Sequence, residues 1–156
     1  MIICEFEEGN KAKLRHVTVN TVVIQDGKVL LVKRNKKLVE GGKWSLVGGF
    51  MGRDETVREA AKREAFEESG WRVSGLTLLR IKDNPNRPHE DRQNISFSFF
   101  AKADKKEGEK DWESDEVKWF DLDNLPKDEE IAFDHSEDIK LYKKYINENF
   151  SIPILI

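Results

Sequence analysis

GGFMGRDETVREAAKREAFEESGW, residues 48–71, reads as paired glycines, a polar turn and then a helix bounded at both ends. Thr56 is the predicted N-cap, Glu59 three residues on completes a capping box, and Gly70 is the terminating glycine. At about 100° per residue, Val57, Ala60, Ala61 and Ala65 fall on one apolar stripe. Glu64 and Glu68 lie inside that same stripe, with Glu67 on its shoulder. Carboxylates at i, i+3 and i+4 repel one another and lose hydration when covered, so a cation is expected among them.

Composition narrows what surrounds this helix. With 156 residues, the chain is expected to form one domain, residues 1–156, large enough for a real core. It is 37% charged and 38% hydrophobic with a net charge of -3, which offers no global field for nucleic acid. Its single cysteine, Cys4, leaves no intramolecular disulfide partner and no cysteine-based zinc cluster, so a reducing compartment, the cytoplasm, is expected. The apolar run in MIICEFEEGN is too short for a signal peptide, and no window approaches the roughly 18 apolar residues of a membrane span.

Outward from the helix, strand and helix signals alternate. RHVTVNTVVIQ (15–25) and KVLLVKR (28–34) are β-branched runs joined by Asp26-Gly27, a hairpin signal. KWSLVGG (43–49) is a short strand ending in the paired glycines. After the helix, 71–83 and 94–103 read as strands around the polar loop NPNRPHEDR (84–92). A charged loop is expected over 105–116, a last strand over 117–122, and a second helix over 134–150 with Ile139, Tyr142, Tyr145 and Ile146 on its core face. Hairpins mixed with strand-to-helix crossovers predict an α+β fold, a mixed sheet with helices on both faces.

Gly49, five residues, Glu55, seven residues, then REAFEESGW from Arg63 to Trp71 resembles the Nudix box at every signature position, with Ala65 and Trp71 in its hydrophobic slots. The resemblance implies a Nudix-like α/β/α sandwich and metal-dependent hydrolysis of a nucleoside diphosphate linked to another moiety. It also implies that Glu67 and Glu68 are the principal ligands of a divalent metal with backbone from Gly48 and Gly49, that Glu64 is a ligand or orients the water, and that Arg63 pairs with Glu55 between turn and helix. Gly70 supports the site, and a distant glutamate, Glu116 or its competitor Glu113, serves as base or extra ligand. Two positions depart from the commonest pattern: Val47 stands where many members carry proline, and Gly52 where they carry an acid, with Asp54 the candidate replacement.

The chemistry suits these residue types. A pyrophosphate ester repels hydroxide, so hydrolysis needs metal ions that neutralise bridging oxygens and acidify a bound water. Oxygen-only ligands favour Mg²⁺, with Mn²⁺ as the alternative. Arg87 and Arg92 flank a loop that could meet phosphate. His16, His89 and His135 read as surface or turn residues, and Trp44, Trp119 and Phe120 as packing.

The expected partner is a small nucleotide, and the expected state a monomer or homodimer. GGF at the box entrance and Pro85 beyond Gly70 resemble the ADP-ribose pyrophosphatase branch. A MutT-type nucleoside triphosphate pyrophosphohydrolase is the alternative, and a nucleotide-sensing module without turnover the third reading. Such a module is expected to lose box glutamates, and this chain keeps them all.

Overall fold

The structure is a computed structural model that describes residues 2–86 and 93–156. In chain order its elements are β1 (Ile2–Glu5), β2 (Lys11–Leu14), β3 (Val17–Gln25), β4 (Lys28–Arg34), β5 (Trp44–Ser45), β6 (Val47–Phe50) and α1 (Val57–Ser69). There follow β7 (Trp71–Lys82), β8 (Ile95–Lys106), β9 (Ser114–Asp121), a 3-10 turn (Asp128–Glu130), α2 (His135–Asn147) and β10 (Ile154–Leu155). The main sheet runs β10-β7-β8-β3-β4-β5, with β6 added to β3 and β9 to β4. β3 pairs parallel with β8 and antiparallel with β6 and β4, so the sheet is mixed, as expected.

Period-2 alternation sends the side chains of β3 and β4 to opposite faces. Val19, Val23, Leu30 and Val32 join Ala60, Ala61 and Ala65 of α1 in one core. Val22, Val29 and Leu31 join Ile139 and Tyr142 of α2 in the other. Each fully covered Val or Leu contributes about 1.5–3 kcal/mol, so both helices are held by the same strands from opposite sides. Asp26 and Gly27 take φ of 49° and 74°, the left-handed pair that a two-residue hairpin requires.

Three expectations change, and one element is new. The charged loop is shorter than 105–116, because β8 runs on to Lys106 and β9 already starts at Ser114. Strand 43–49 is two pieces, β5 and β6, with Leu46 between them. α2 stops at Asn147, and Ile146 points to solvent at 52% exposure although Ile139 and Tyr142 are buried. The hairpin β1-β2, a sheet of its own, had no counterpart in the sequence reading.

Between β7 and α2 lies a buried charge network. Lys82, 1% exposed, donates to Asp134 at 2.8 Å and to Asp138 at 3.0 Å, and Arg80 donates to Asp138 at 2.5 Å. Burial alone would raise the Asp138 acid, but Lys82 and Arg80 outweigh it and hold it below the usual carboxylate value. Removing one member of a buried pair leaves the other charge uncompensated. Lys82→Met is therefore expected to lower unfolding free energy by about 3–5 kcal/mol in urea titrations. A change below about 1 kcal/mol would show that the network does not anchor α2.

Candidate active site

Helix α1 carries the box. Thr56 is its N-cap in a full capping box with Glu59, and Gly70 closes it at φ 76°. A Cβ on Gly70 would also stand 2.0 Å from the carbonyl oxygen of Gly108, so glycine is required there twice over. The alanine stripe packs on the sheet, and the same stripe delivers the last turn of the helix to β6. There Glu68, 4% exposed, accepts the Gly48 N–H at 2.9 Å. The Glu64 carboxylate lies against Gly49, where an added Cβ would come within 2.6 Å of it.

Arg63 is shared among three carboxylates. It grips Glu55 with two bonds, at 2.7 and 3.0 Å, and its Nη1 donates to Glu64 at 2.8 Å and to Glu67 at 2.9 Å. The turn-to-helix ion pair is thus present. Arg63 and then the Gly52 N–H hold the Glu55 acid below its ordinary value. Burial, opposed by Arg63 and reinforced by Glu67 and Glu113, pushes Glu64 up. Burial pushes Glu68 well up, although the Gly48 N–H works against it.

Among the described residues, no group of three or more His, Cys, Asp or Glu side chains is arranged to hold a metal ion as it stands. The reason is visible in the bonds: Arg63 draws Glu64 and Glu67 to itself while Glu68 turns to the Gly48 amide. The donor set nevertheless fits a hard divalent cation. All its donors are oxygens, and burial raises the acids of the two covered carboxylates, Glu64 and Glu68, so a bound cation would favour their charged forms.

A cleft of about 380 Å³ opens from this turn. Gly48, Gly49, Glu64 and Glu113 line it near the box; Phe133 and His135 line it as well. Of the two candidates for the distant glutamate, Glu113 lines this cleft and Glu116 does not. Glu116 stands exposed within β9, paired with Lys33 of β4, where sheet register fixes it away from the cleft lining. Asp54, the candidate replacement at the turn, is exposed and paired with Arg53 at 2.8 Å. Gly52 gives its N–H to Glu55 at 2.6 Å, and Val47 is fully buried in the core. His135 is buried, not a surface residue, because Leu46 and the charge network enclose it. Arg87, His89 and Arg92 lie outside the described residues. The cleft residues that sequence reasoning missed, Asn20, Ser96, Arg34 and Phe133, lie on strands and at a helix entrance far apart in the chain.

The family profile described as NUDIX domain matches residues 14–143. An ADP-ribose pyrophosphatase from Methanocaldococcus jannaschii is 36% identical over 131 residues, 84% of this chain and 75% of that protein. An oxidized purine nucleoside triphosphate hydrolase from Danio rerio is 38% identical over 117 residues, 67% of this chain and 65% of that protein. Among solved structures, a NUDIX hydrolase from Nitrosomonas europaea superposes with a TM-score of 0.76 at 25% identity, covering 99% of this chain and 93% of that one.

Covering Glu68 has a consequence for stability. Its folded acid is raised above the ordinary value of 4.5, so its contribution is fully present below that pH and is lost as pH rises through the raised value. In chelator, Glu68→Gln keeps an acceptor for the Gly48 N–H and removes the charge. Its melting temperature minus that of the wild type should grow steadily from acid to neutral pH. A difference that shrinks with rising pH would contradict the raised acid.

Proposed function

This chain belongs to the NUDIX family and is a pyrophosphohydrolase of that family; from that premise we propose that its substrate is a nucleoside diphosphate derivative of the ADP-ribose kind. The observation that carries the proposal is the likeness to the Methanocaldococcus jannaschii protein, whose name gives its substrate. The cleft supports it, with glycines and carboxylates for a diphosphate and an aromatic, apolar lining for a base. Residues 1–156 would act as one hydrolase domain, in the cytoplasm, as a monomer or homodimer.

Nudix hydrolases are generally dependent on a divalent metal. Here Glu64, Glu67 and Glu68, with backbone from Gly48 and Gly49, would hold it, and their oxygen donors favour Mg²⁺ over Mn²⁺ only by preference, not by exclusion. Such an ion, when bound, neutralises phosphate oxygens and makes water a better nucleophile. The chain's own groups do the rest. Arg63, anchored by Glu55, sets the direction of Glu64 and Glu67. Glu64 accepts from Arg63 on Oε1, so its Oε2 would serve as the metal ligand or, in its place, take a proton from the attacking water, and its raised acid brings it nearer the working pH. Glu113, on the same cleft, adds a little to the burial that raises Glu64, and Glu113 and Glu116 are the other candidate bases.

Chromatographic separation of products is the deciding assay. With Mg²⁺, ADP-ribose should yield AMP and ribose 5-phosphate, and chelator should abolish both. Full activity in chelator would remove the metal assignment. Higher kcat/KM on every triphosphate, with release of pyrophosphate, would transfer the chain to the second reading, favoured by its likeness to the Danio rerio enzyme.

Separating rate from stability tests the ligands. Glu67→Gln at saturating Mg²⁺ should lower kcat at least about a hundredfold, the scale of losing a key electrostatic contact. In chelator its melting temperature should hold or rise slightly, since one repulsion is relieved. Glu59→Gln, in the exposed capping box, should leave the rate unchanged and weaken the helix by about 1 kcal/mol at most. Wild-type turnover in Glu67→Gln would place the site elsewhere.

A further inference from the structure

His135 is the first residue of α2 and is 7% exposed, yet it lines the cleft. Its Nδ1 accepts the Leu46 N–H at 3.1 Å. A ring nitrogen that accepts carries no proton, so the neutral imidazole must carry its proton on Nε2. Burial, and then the nearby Lys82 ammonium, hold the ring neutral, with its pKa lowered to about 4. No hydrogen bond to Nε2 is made among the described residues, although Nδ1 is committed. The result is a donor of fixed tautomer on the wall of a substrate cleft.

Its neighbours say what it meets. The Phe133 ring lies 5.4 Å from the imidazole at 58°, and Leu38 and Val39 add apolar surface to the same cleft. Asn20 and Ser96 supply uncharged polar groups, already joined by a bond of 3.1 Å. With the Arg34 guanidinium 5.0 Å over the Phe133 ring, the wall combines planar, apolar and amide groups that suit stacking of a flat heteroaromatic ring. Asp134 beside it is held by Lys82, so the near carboxylate is not offered as a competing acceptor for the ligand.

We propose that His135 is a specificity-determining residue that donates one hydrogen bond from Nε2 to an acceptor nitrogen or oxygen of the substrate's nucleobase. This rests on the nucleotide reading given above. The bond forms in ground state and transition state alike, so His135 acts on binding and on the choice of base, and the chemical step proceeds without it. Bases that offer an acceptor at that edge are favoured; those that lack one leave a covered donor unpaired, which is costly.

The test uses two substitutions that divide the two nitrogens. In His135→Asn the amide oxygen replaces Nδ1 and keeps the Leu46 bond, but nothing reaches the Nε2 position. In His135→Gln the amide nitrogen reaches the Nε2 position. Calorimetry first ranks the four nucleoside monophosphates on the wild type, then compares the tightest with analogues that each lack one ring or carbonyl acceptor. One analogue should bind about 10- to 100-fold more weakly than its parent. In His135→Asn the parent should weaken by a similar factor and the discrimination should vanish, with KM raised and kcat kept; His135→Gln should recover part of both. Wild-type binding of all analogues within about twofold, discrimination retained in His135→Asn, or no binding of any monophosphate at millimolar concentration would each overturn the inference. If ADP-ribose is not turned over while base discrimination behaves as stated, the substrate reading fails and the role of His135 stands.

Discussion

Helix α1 approaches strand β6 closely enough to place carboxylates on backbone because Gly49 carries no side chain, and Gly48 lets β6 lie equally close to β3. At Gly48 a Cβ would fall 2.2 Å from the carbonyl oxygen of Val19 on the neighbouring strand, and at Gly49 it would collide with the Glu64 carboxylate. Fully buried alanines on the same helix keep its axis low over the sheet. Packing thereby forces negative charge into a covered place. Arg63 relieves Glu55, Glu64 and Glu67 at once, but it does not reach Glu68, whose bonded partner is an amide. Free energy from the alanine and valine core thus holds in place a group of carboxylates that would not gather on their own.

The opposite face of the sheet solves a related problem differently. There the covered charges are balanced within the protein, Lys82 and Arg80 of β7 against Asp134 and Asp138 of α2. One side is electrically closed, and the other is left open toward a cation. The cleft runs between them, from the box to the entrance of α2, so the reacting end and the recognition end of a substrate would meet opposite kinds of wall.

How far these features could be read from sequence depends on how local their causes are. The capping box, the Gly70 terminator, the alanine stripe and the Asp26-Gly27 turn each depend on a few neighbouring residues, and the structure has them where the spacing put them. Glu116 falls within β9 and not in a loop because the start of that strand is set by pairing with β4, including a register shift at Lys33/Arg34, and no local signal marks it. Ile146 shares the helix face of Ile139 but stands in the last turn of α2, where the covering seen at Ile139 and Tyr142 has ended. His135 looked like a polar residue at a helix entrance; what buries it comes from Leu46 and Lys82, far off in the chain. A signal was nevertheless available. Two basic residues at i and i+2 in the apolar strand LTLLRIK, facing two acids at i and i+4 in DHSED, are a matched pair for a strand against a helix.

The same matched charges restrict how this chain can change over evolutionary time. Asp138 serves Arg80 and Lys82 together, and Lys82 serves Asp134 and Asp138 together, so three bonds join the four residues in one chain. A lineage that lost any one of them would carry an unmatched charge in a dry interior until a second change arrived. Descendants should therefore keep the quartet whole or exchange it for apolar residues in concert. Drift at positions 80, 82, 134 and 138 becomes a single, rare event, while the exposed residues around them are free to vary one at a time.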